Sequence, residues 1–176
     1  MINIDEISES EMMNWYAIHV RSRHEFHVTD RLAKSGIDAF LPIVERLSHW
    51  KDRKKLVTFP LFPGYLFVNI HPSNNEKLAV LKTPGVVKFI GQTPGEPEPV
   101  PVEQVLSLKR LVESKEAIDP YPYLKEGNRV RIRSGALAGV EGILVERKGI
   151  HHLVLSVDIL RQGVAIKIES ASVEAI

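Results

Sequence analysis

The stretch FPLFPGYLFV, residues 59–68, decides the fold of this chain together with TPGVVKFIG, residues 83–91. Each stretch is apolar and aromatic, and each is interrupted by Pro-Gly, which is typical of a strand attached to a sharp turn. Together they carry more aromatic surface than one small core requires. We therefore expect part of that surface to meet a partner.

Strands and helices alternate on both sides of these stretches. WYAIHVR, residues 15–21, predicts a first strand, and Ser22-Arg23-His24-Glu25 has the pattern of a capping box that begins a helix ending near Gly36. The other elements predicted before residue 113 are an extended segment from 37, a basic hairpin tip at 49–55, a helix at about 74–82 with a second capping box in Ser73-Asn74-Asn75-Glu76, and a helix after the Pro-rich loop 94–101.

The composition changes after residue 112. SKEAIDPYPY, residues 114–123, contains two prolines and scattered charges and is predicted to be a linker. Gly-punctuated strand-like runs follow at 129–133, 140–147, 151–157, 164–168 and 172–176, and a small barrel would close them without exposed edges.

The sequence thus predicts an α+β protein in four parts. These are a disordered acidic N-terminus over 1–13, an α/β sandwich with an antiparallel sheet and flanking helices over 14–112, a linker over 113–123, and a small five-stranded β-barrel over 124–176.

Composition narrows the class of protein. The 176 residues contain 44% hydrophobic residues and no Cys, which excludes disulfides, thiolate zinc sites and cysteine nucleophiles. No apolar run approaches the roughly 18 residues of a membrane span, and the acidic residues 1–14 do not fit a signal peptide. We expect a cytoplasmic protein without membrane contact.

The net charge of +1 hides an uneven distribution. Residues 15–112 hold fourteen Lys and Arg against nine Asp and Glu, a net charge of +5, whereas residues 113–176 hold nine of each kind. The first block is therefore the candidate polyanion binder. No phosphate loop and no compact set of acid, base and nucleophile is present, so we expect no enzyme, no catalytic residues, no cofactor and no metal site.

Several motifs, in one order, resemble a known family. Trp15-Tyr16, the stretch from Phe62 to Val68, and Thr83-Pro84-Gly85-Val86 followed by Phe89-Ile90-Gly91 resemble the amino-terminal domain of the NusG family of transcription elongation and antitermination factors. Residues 127–132 (GNRVRI) and 134–142 (SGALAGVEG) resemble the KOW domain of that family, which makes 124–176 its expected place. The resemblance covers about residues 14–176.

This resemblance implies a factor that binds the clamp helices of the largest RNA polymerase subunit and suppresses pausing or termination. The residues that correspond to the polymerase-binding depression are Phe62, Pro63, Gly64, Tyr65, Phe67 and Phe89. Aromatic anchors can supply much of an interface energy, about 2 kcal/mol or more each. Because strand positions alternate between faces, these residues could instead be ordinary core, and for Phe67 both interpretations stay open.

Basic residues form a second candidate site. In the family, specialised members contact the non-template DNA strand of the transcription bubble through the surface that corresponds to Arg21, Arg23, His24, His27, Arg31 and Lys34. The last four fall within roughly an 80° arc of the first helix. The alternative is a solvated helix face.

The hairpin tip offers a comparable choice. Lys51, Arg53, Lys54 and Lys55, with Arg46, could lie along upstream duplex DNA through phosphate contacts. The same residues could simply keep the loop soluble. For Trp50 we expect packing on its own hairpin rather than stacking on a base.

The KOW resemblance suggests Leu137 and Val140 as exposed contacts to a ribosomal small-subunit protein or to Rho, or as residues that close the barrel. Ala136 and Leu137 stand where Pro and Phe are frequent in the family, which weakens a specific partner assignment. We also predict a constitutive barrel rather than the helical hairpin known in RfaH, with flexibly linked domains.

The segment 15–68, with its RSRHE helix start, FLP strand and basic HWKDRKK tip, resembles the specialised RfaH-like and UpxY-like branch. We expect a monomer that joins the bacterial nucleoid through RNA polymerase and serves particular operons. A housekeeping NusG-type factor that acts with Rho and the ribosome, and a ribosomal or RNA-binding KOW protein, are the alternatives.

Overall fold

A computed structural model describes residues 12–176. The elements, in chain order, are β1 (Asn14–Val20), α1 (Glu25–Lys34), β2 (Asp38–Phe40), β3 (Ile43–Trp50), β4 (Arg53–Pro60), β5 (Tyr65–Ile70), α2 (Asn74–Lys82), β6 (Val86–Phe89), β7 (Pro99–Val100), α3 (Val102–Glu113), β8 (Ile118–Tyr121), β9 (Asn128–Ile132), β10 (Glu141–Arg147), β11 (Ile150–Val157), β12 (Gln162–Lys167) and β13 (Val173–Ala175). Short 3-10 helices lie at Asp158–Leu160 and Ser170–Ser172.

The described chain divides into two compact units. The first unit contains the residues up to Leu41 and Phe62–Val102, and the second contains Pro42–Leu61 and Glu103–Ile176. The first unit holds an antiparallel sheet in the order β2-β5-β1-β6, with β7 also paired to β1. Alternate residues of its central strands face α1 and α2. These strand residues (Tyr16, Ile18, Val20, Leu66, Val68 and Ile70) form one buried cluster with Val28 and Leu32 of α1 and Val80 of α2.

The opposite face of this sheet is apolar as well. Trp15 and Ala17 of β1 and Phe67 of β5 alternate with the cluster residues and are all buried. The ring of Phe40 on β2 stacks on Phe67 with 6.1 Å between ring centroids. Burial on both faces explains why residues 65–68 are almost continuously apolar instead of alternating with polar residues.

Three Pro-Gly turns of one kind connect elements of the first unit. In residues 62–65, 83–86 and 93–96 the fourth residue donates its N–H to the carbonyl of the first, at 3.0, 3.1 and 3.1 Å respectively. Each glycine has positive φ, as the third position of a type II turn requires. The two stretches quoted first therefore contain the same turn, as their Pro-Gly sequence predicts.

The second unit contains the β3–β4 hairpin, α3 and a six-stranded antiparallel sheet in the order β13-β9-β10-β11-β12-β8. The strands after residue 124 agree with the predicted runs within two residues, and the region is sheet rather than a helical hairpin. The sheet has one strand more than the five that the sequence predicts.

The additional strand comes from the segment predicted as a linker. Within 113–123, β8 pairs with β12, and Pro120 lies opposite Val164. Proline lacks a backbone N–H, but an edge strand tolerates it because the missing donor can lie on the unpaired side. β8 is such an edge strand, and the two prolines that suggested irregular structure do not prevent its pairing. The domain boundaries at 112, 113–123 and 124 stay a prediction.

The two predicted capping boxes have different outcomes. Ser73 Oγ accepts a hydrogen bond from the Glu76 N–H at 3.3 Å at the start of α2, as predicted. At α1 the prediction is wrong, because the helix begins two residues later, with His24 as the N-cap and no capping side chain. Arg23 adopts positive φ in the preceding turn, which leaves Glu25 at the first helical position.

The predicted disorder of residues 1–13 falls almost entirely outside the described residues. Within 12–176, no helix combines the length and the apolar character that a bilayer crossing demands.

Candidate functional site

Tyr65 lies in a row of three side chains that crosses three strands of the first unit. Tyr65 of β5 is opposite His19 of β1, and His19 is opposite Lys88 of β6. The Tyr65 and His19 rings are 5.3 Å apart between centroids. Tyr65 and His19 are half-buried, and Lys88 and the adjacent Pro63 are exposed. We call these four residues the Tyr65 surface.

Two of the predicted polymerase-binding residues are core residues. Phe62 and Phe67 expose 1% and 0% of their surface. A side chain with no exposed area cannot contact a partner in this conformation, so the prediction that they form a docking surface is wrong. For Phe67, the structure decides in favour of the core interpretation.

Phe89 also lies outside the Tyr65 surface. It is opposite Ile18 on β6 and packs against the buried cluster beneath the helices, with its ring 6.1 Å from that of Tyr16. Tyr65 projects from the opposite face of the same sheet, because His19 follows Ile18 on β1. Phe89 and Tyr65 therefore cannot belong to one patch, although the sequence analysis grouped them.

Gly64 shapes the turn before Tyr65 by using both of its backbone groups. Its N–H donates to the buried carboxylate of Glu25 at 2.8 Å, and its carbonyl accepts from the Val20 N–H at 2.9 Å. Its φ is +84°, and the His19 ring lies 3.5 Å from the place where a Cβ would be. The turn is thus fixed to the end of β1 and to the start of α1.

The 83–86 turn is fixed to the same two elements. The Arg21 N–H donates to the Gly85 carbonyl at 2.8 Å, and the Arg31 guanidinium donates to the Pro84 carbonyl at 2.7 Å. Adjacent amides at the end of β1 thus bind the two Pro-Gly turns. This arrangement holds the backbone around Tyr65 and around the start of α1 in one conformation.

The predicted basic residues of α1 form one stripe. His27, Arg31 and Lys34 are exposed, and His24 is half-buried, while Val28 and Leu32 face the core. We call His24, His27, Arg31 and Lys34 the α1 basic stripe. Arg21 and Arg23, which precede it in the chain, are also exposed. Three of its members have protein partners: His24 Nδ1 lies 2.9 Å from the Ser22 carbonyl oxygen, Arg31 binds the Pro84 carbonyl, and Lys34 Nζ lies 2.8 Å from Asp30. This ion pair and its hydrogen bond lower the pKa of Asp30.

The hairpin cations are divided between two faces. Cross-strand pairing places Trp50 with Arg53, Ser48 with Lys55, and Arg46 with Val57 on one face, which we call the Trp50 face. Leu47 with Leu56 and His49 with Lys54 lie on the other face, and Lys51 lies in the turn. Trp50 is 77% exposed, so the expectation that it packs on its own hairpin is wrong.

The predicted KOW contacts are also buried. Leu137 and Val140 belong to the buried hydrophobic residues of the second unit, which supports the interpretation that they close the sheet and corrects their assignment as exposed contacts. Arg110 of α3 donates to the carbonyls of Ala136 and Ala138, at 3.2 and 2.5 Å, and thereby covers the backbone of this loop.

Three residues of the site were missed by the sequence predictions. Strand alternation in 15–21 was the available signal for His19, since it separates His19 from Tyr16 and Ile18. The pairing that brings in Lys88, and the long-range contact of Glu25, have no local signal. Among residues 12–176, no group of three or more His, Asp or Glu side chains could hold a metal ion.

Comparisons with known proteins point to one family. A family model described as transcription termination factor NusG matches residues 13–109. The chain is 30% identical over 151 residues to the transcription termination/antitermination protein NusG of Thermus thermophilus, covering 76% of this chain and 82% of that protein. The NusG of Pseudomonas aeruginosa is 27% identical over 142 residues, with 75% and 80% covered. That of Staphylococcus carnosus is 28% identical over 173 residues, with 91% and 94% covered.

A solved structure supports the fold. The structure described as "Domain interaction in Thermotoga maritima NusG" aligns with 95% of this chain and 99% of its own chain, with a TM-score of 0.54 and 22% sequence identity. At this level of identity, the likeness supports the fold alone.

Proposed function

Since this chain belongs to the NusG family of transcription termination and antitermination factors, we propose that it binds elongating RNA polymerase and suppresses pausing or termination. The observation that carries the proposal is the Tyr65 surface, which follows a hydrogen-bonded turn inside the family-matched segment 13–109. The proposed partner is the pair of clamp helices on the largest polymerase subunit.

The Tyr65 surface has the chemistry of a small docking site. The Tyr65 and His19 rings, whose planes are tilted by 34°, offer aromatic contact area, and Lys88 adds a cation at the end of the row. Aromatic and cationic side chains are frequent at the energetically dominant positions of interfaces. Pro63 and Gly64 would present Tyr65 without ordering a loop on binding, which lowers the entropic cost of association.

A polymerase pull-down with purified variants tests this docking site. We expect Tyr65→Ala to reduce recovery of RNA polymerase by about tenfold or more, as truncation of a hot-spot aromatic does, and Tyr65→Phe to retain most of it. Phe26→Ala is the matched control, since Phe26 is an exposed aromatic residue on α1 outside the Tyr65 surface. Full recovery by a folded Tyr65→Ala protein would remove Tyr65 as the anchor, and no recovery by the wild type would favour a ribosomal KOW protein.

We further propose that the α1 basic stripe contacts the non-template DNA strand of the transcription bubble. His24, His27 and Lys34 supply cationic or imidazole groups on one face, and Arg21 and Arg23 lie just before the helix. Arg31 differs from these residues because its guanidinium donates a hydrogen bond to the Pro84 carbonyl. This bond connects the stripe to the 83–86 turn.

For the scope of action, we propose a specialised factor of the RfaH and UpxY kinds, which works as a monomer in the cytoplasm and joins the nucleoid through polymerase. The sequence features that favour this branch are the RSRHE helix start, the FLP strand and the basic hairpin tip. Genome-wide mapping of the tagged protein should then show occupancy on few operons.

A housekeeping NusG that acts with Rho and the ribosome through the KOW domain is the second candidate. The names of the curated relatives, all NusG at 27 to 30% identity, favour it. Occupancy on nearly all transcribed genes in the same mapping experiment would decide for this candidate and against the specialised factor.

A further inference from the structure

We propose that the end of the β3–β4 hairpin binds single-stranded nucleic acid by stacking an unpaired base on Trp50, while Arg53 and Lys55 bind the adjoining phosphates. The inference goes beyond the proposed function, which assigns nucleic-acid contact to the α1 basic stripe. It differs from a duplex contact, which would involve phosphates alone.

The exposure of Trp50 is the first observation. Its side chain is 77% exposed, although a large aromatic side chain gains free energy from burial. Its neighbours on the same face are Arg53 directly opposite, then Ser48 and Lys55. None of these is an apolar residue, and the exposed apolar pair Leu47 and Leu56 lies on the other face. The hairpin therefore leaves the indole in solvent.

The cations on the Trp50 face are the second observation. Arg53 and Lys55 are two residues apart on β4, a spacing of about 7 Å along the strand. Neither forms an ion pair within the part of the chain that the structure describes, and Asp52 is the single acidic residue between positions 46 and 55. Both cations are therefore available to a polyanion beside an exposed aromatic ring.

This combination selects single strands. In a duplex the faces of the bases are covered by their neighbours, so an indole at the end of a hairpin has no base face to contact. An unpaired base presents both faces, and aromatic stacking with nearby cations on the backbone is the usual basis of single-strand binding. Stacking tolerates any base sequence, so we expect affinity to depend little on sequence.

Binding of the full-length protein to a 5′-labelled oligothymidylate, followed by fluorescence anisotropy, tests the proposal. Tryptophan emission gives a direct readout, because Trp50 is 77% exposed whereas Trp15, the second tryptophan, is 8% exposed. We expect the oligonucleotide to quench the emission of the exposed tryptophan. Quenching should persist in Trp15→Phe and disappear in Trp50→Phe.

Variants separate stacking from general electrostatic attraction. We expect Trp50→Leu to weaken binding about tenfold, which corresponds to about 1.4 kcal/mol, and Trp50→Phe to weaken it less because a ring remains. Lys55→Ala and Lys54→Ala remove the same charge from opposite faces of the hairpin. Lys55→Ala should therefore weaken binding at least threefold more than Lys54→Ala.

Three results would each overturn the proposal: equal affinities of wild type and Trp50→Leu, equal effects of Lys54→Ala and Lys55→Ala, or a blunt-ended duplex that competes better than the single strand. Circular dichroism establishes that each variant is folded. Since the measurement contains no polymerase, failure of the Tyr65 docking site would leave its outcome unchanged. Failure here would likewise leave the polymerase pull-down intact.

Discussion

At the scale of single residues, the carboxylate of Glu25 accepts a hydrogen bond from the buried N–H of Gly64. Truncation would leave that buried donor without its acceptor, at a cost of about 1–3 kcal/mol. We predict that Glu25→Ala lowers the free energy of unfolding by about 2 kcal/mol in urea denaturation and weakens polymerase recovery. Glu25→Gln keeps an acceptor and should lose less than half as much stability. Equal stabilities of wild type and Glu25→Ala would contradict this role.

Phe67 and Tyr65 are two residues apart on β5, and their substitutions should have opposite profiles. Phe67 is fully buried, so Phe67→Ala should lower the free energy of unfolding by about 3–5 kcal/mol. Tyr65 is half-buried, so Tyr65→Ala should cost less stability while it weakens docking by about tenfold or more. Urea denaturation and the pull-down, performed on both variants, distinguish the two. A larger stability loss for Tyr65→Ala would contradict the assignment of Phe67 to the core and of Tyr65 to the surface.

At the scale of elements, α1 carries a pH-dependent ion pair. The hydrogen bond and charge of Lys34 lower the pKa of Asp30 below its ordinary value of 3.8. Because the folded-state pKa is lowered, the stabilisation is present above pH 3.8 and is lost as the pH falls through the folded-state pKa. We predict that an NMR titration finds the Asp30 carboxyl below 3.8 and that Lys34→Ala returns it towards that value. An unchanged titration in Lys34→Ala would exclude the pair in solution.

Elements with a strong local pattern could be predicted from the sequence. The helix at Asn74–Lys82 has its capping serine, and the strands after residue 124 have Gly and charged turns between runs of Val, Ile and Leu. β8 could not be predicted, because Pro120 within it and Pro122 just after it argue against a strand, and only the position of β8 at a sheet edge makes Pro120 acceptable. The start of α1 could not be predicted, because Arg23 adopts a positive φ that its residue type does not suggest, and this delays the helix to Glu25.

The candidate site was less predictable than the fold, for a physical reason. A Pro-Gly-aromatic sequence specifies a turn and a strand, but it does not say which face of the strand remains open. That depends on strand register, which places Phe67 in the core, Phe89 beneath the helices and His19 beside Tyr65. Register is set by pairing partners distant in sequence, and Lys88 enters the site only through that pairing.

At the scale of the whole molecule, the two proposed kinds of binding should respond differently to salt. The net charge of +5 over residues 15–112 favours polyanions, and each phosphate contact with a single strand contributes a slope of about −0.7 to the logarithmic salt dependence. With the two phosphate contacts proposed for Arg53 and Lys55, we predict that raising salt from about 50 to 200 mM weakens oligothymidylate binding about sevenfold. Polymerase recovery through the Tyr65 surface should fall much less. Parallel anisotropy and pull-down titrations check this, and identical salt dependence would contradict separate surfaces.

The paired Pro-Gly turns at the end of β1 have a consequence for communication within the first unit. Val20 and Arg21 donate adjacent N–H groups to Gly64 and Gly85, while Glu25 and Arg31 bind the same two turns from α1. A displacement of the turn that carries Tyr65 must therefore move the turn that holds Arg31. A ligand that orders one turn also restricts the other turn, so a second ligand that binds there loses less conformational entropy. Such entropy coupling gives cooperativity without a change of shape. The protein and the nucleic acid that meet these turns would each strengthen the binding of the other, by equal factors.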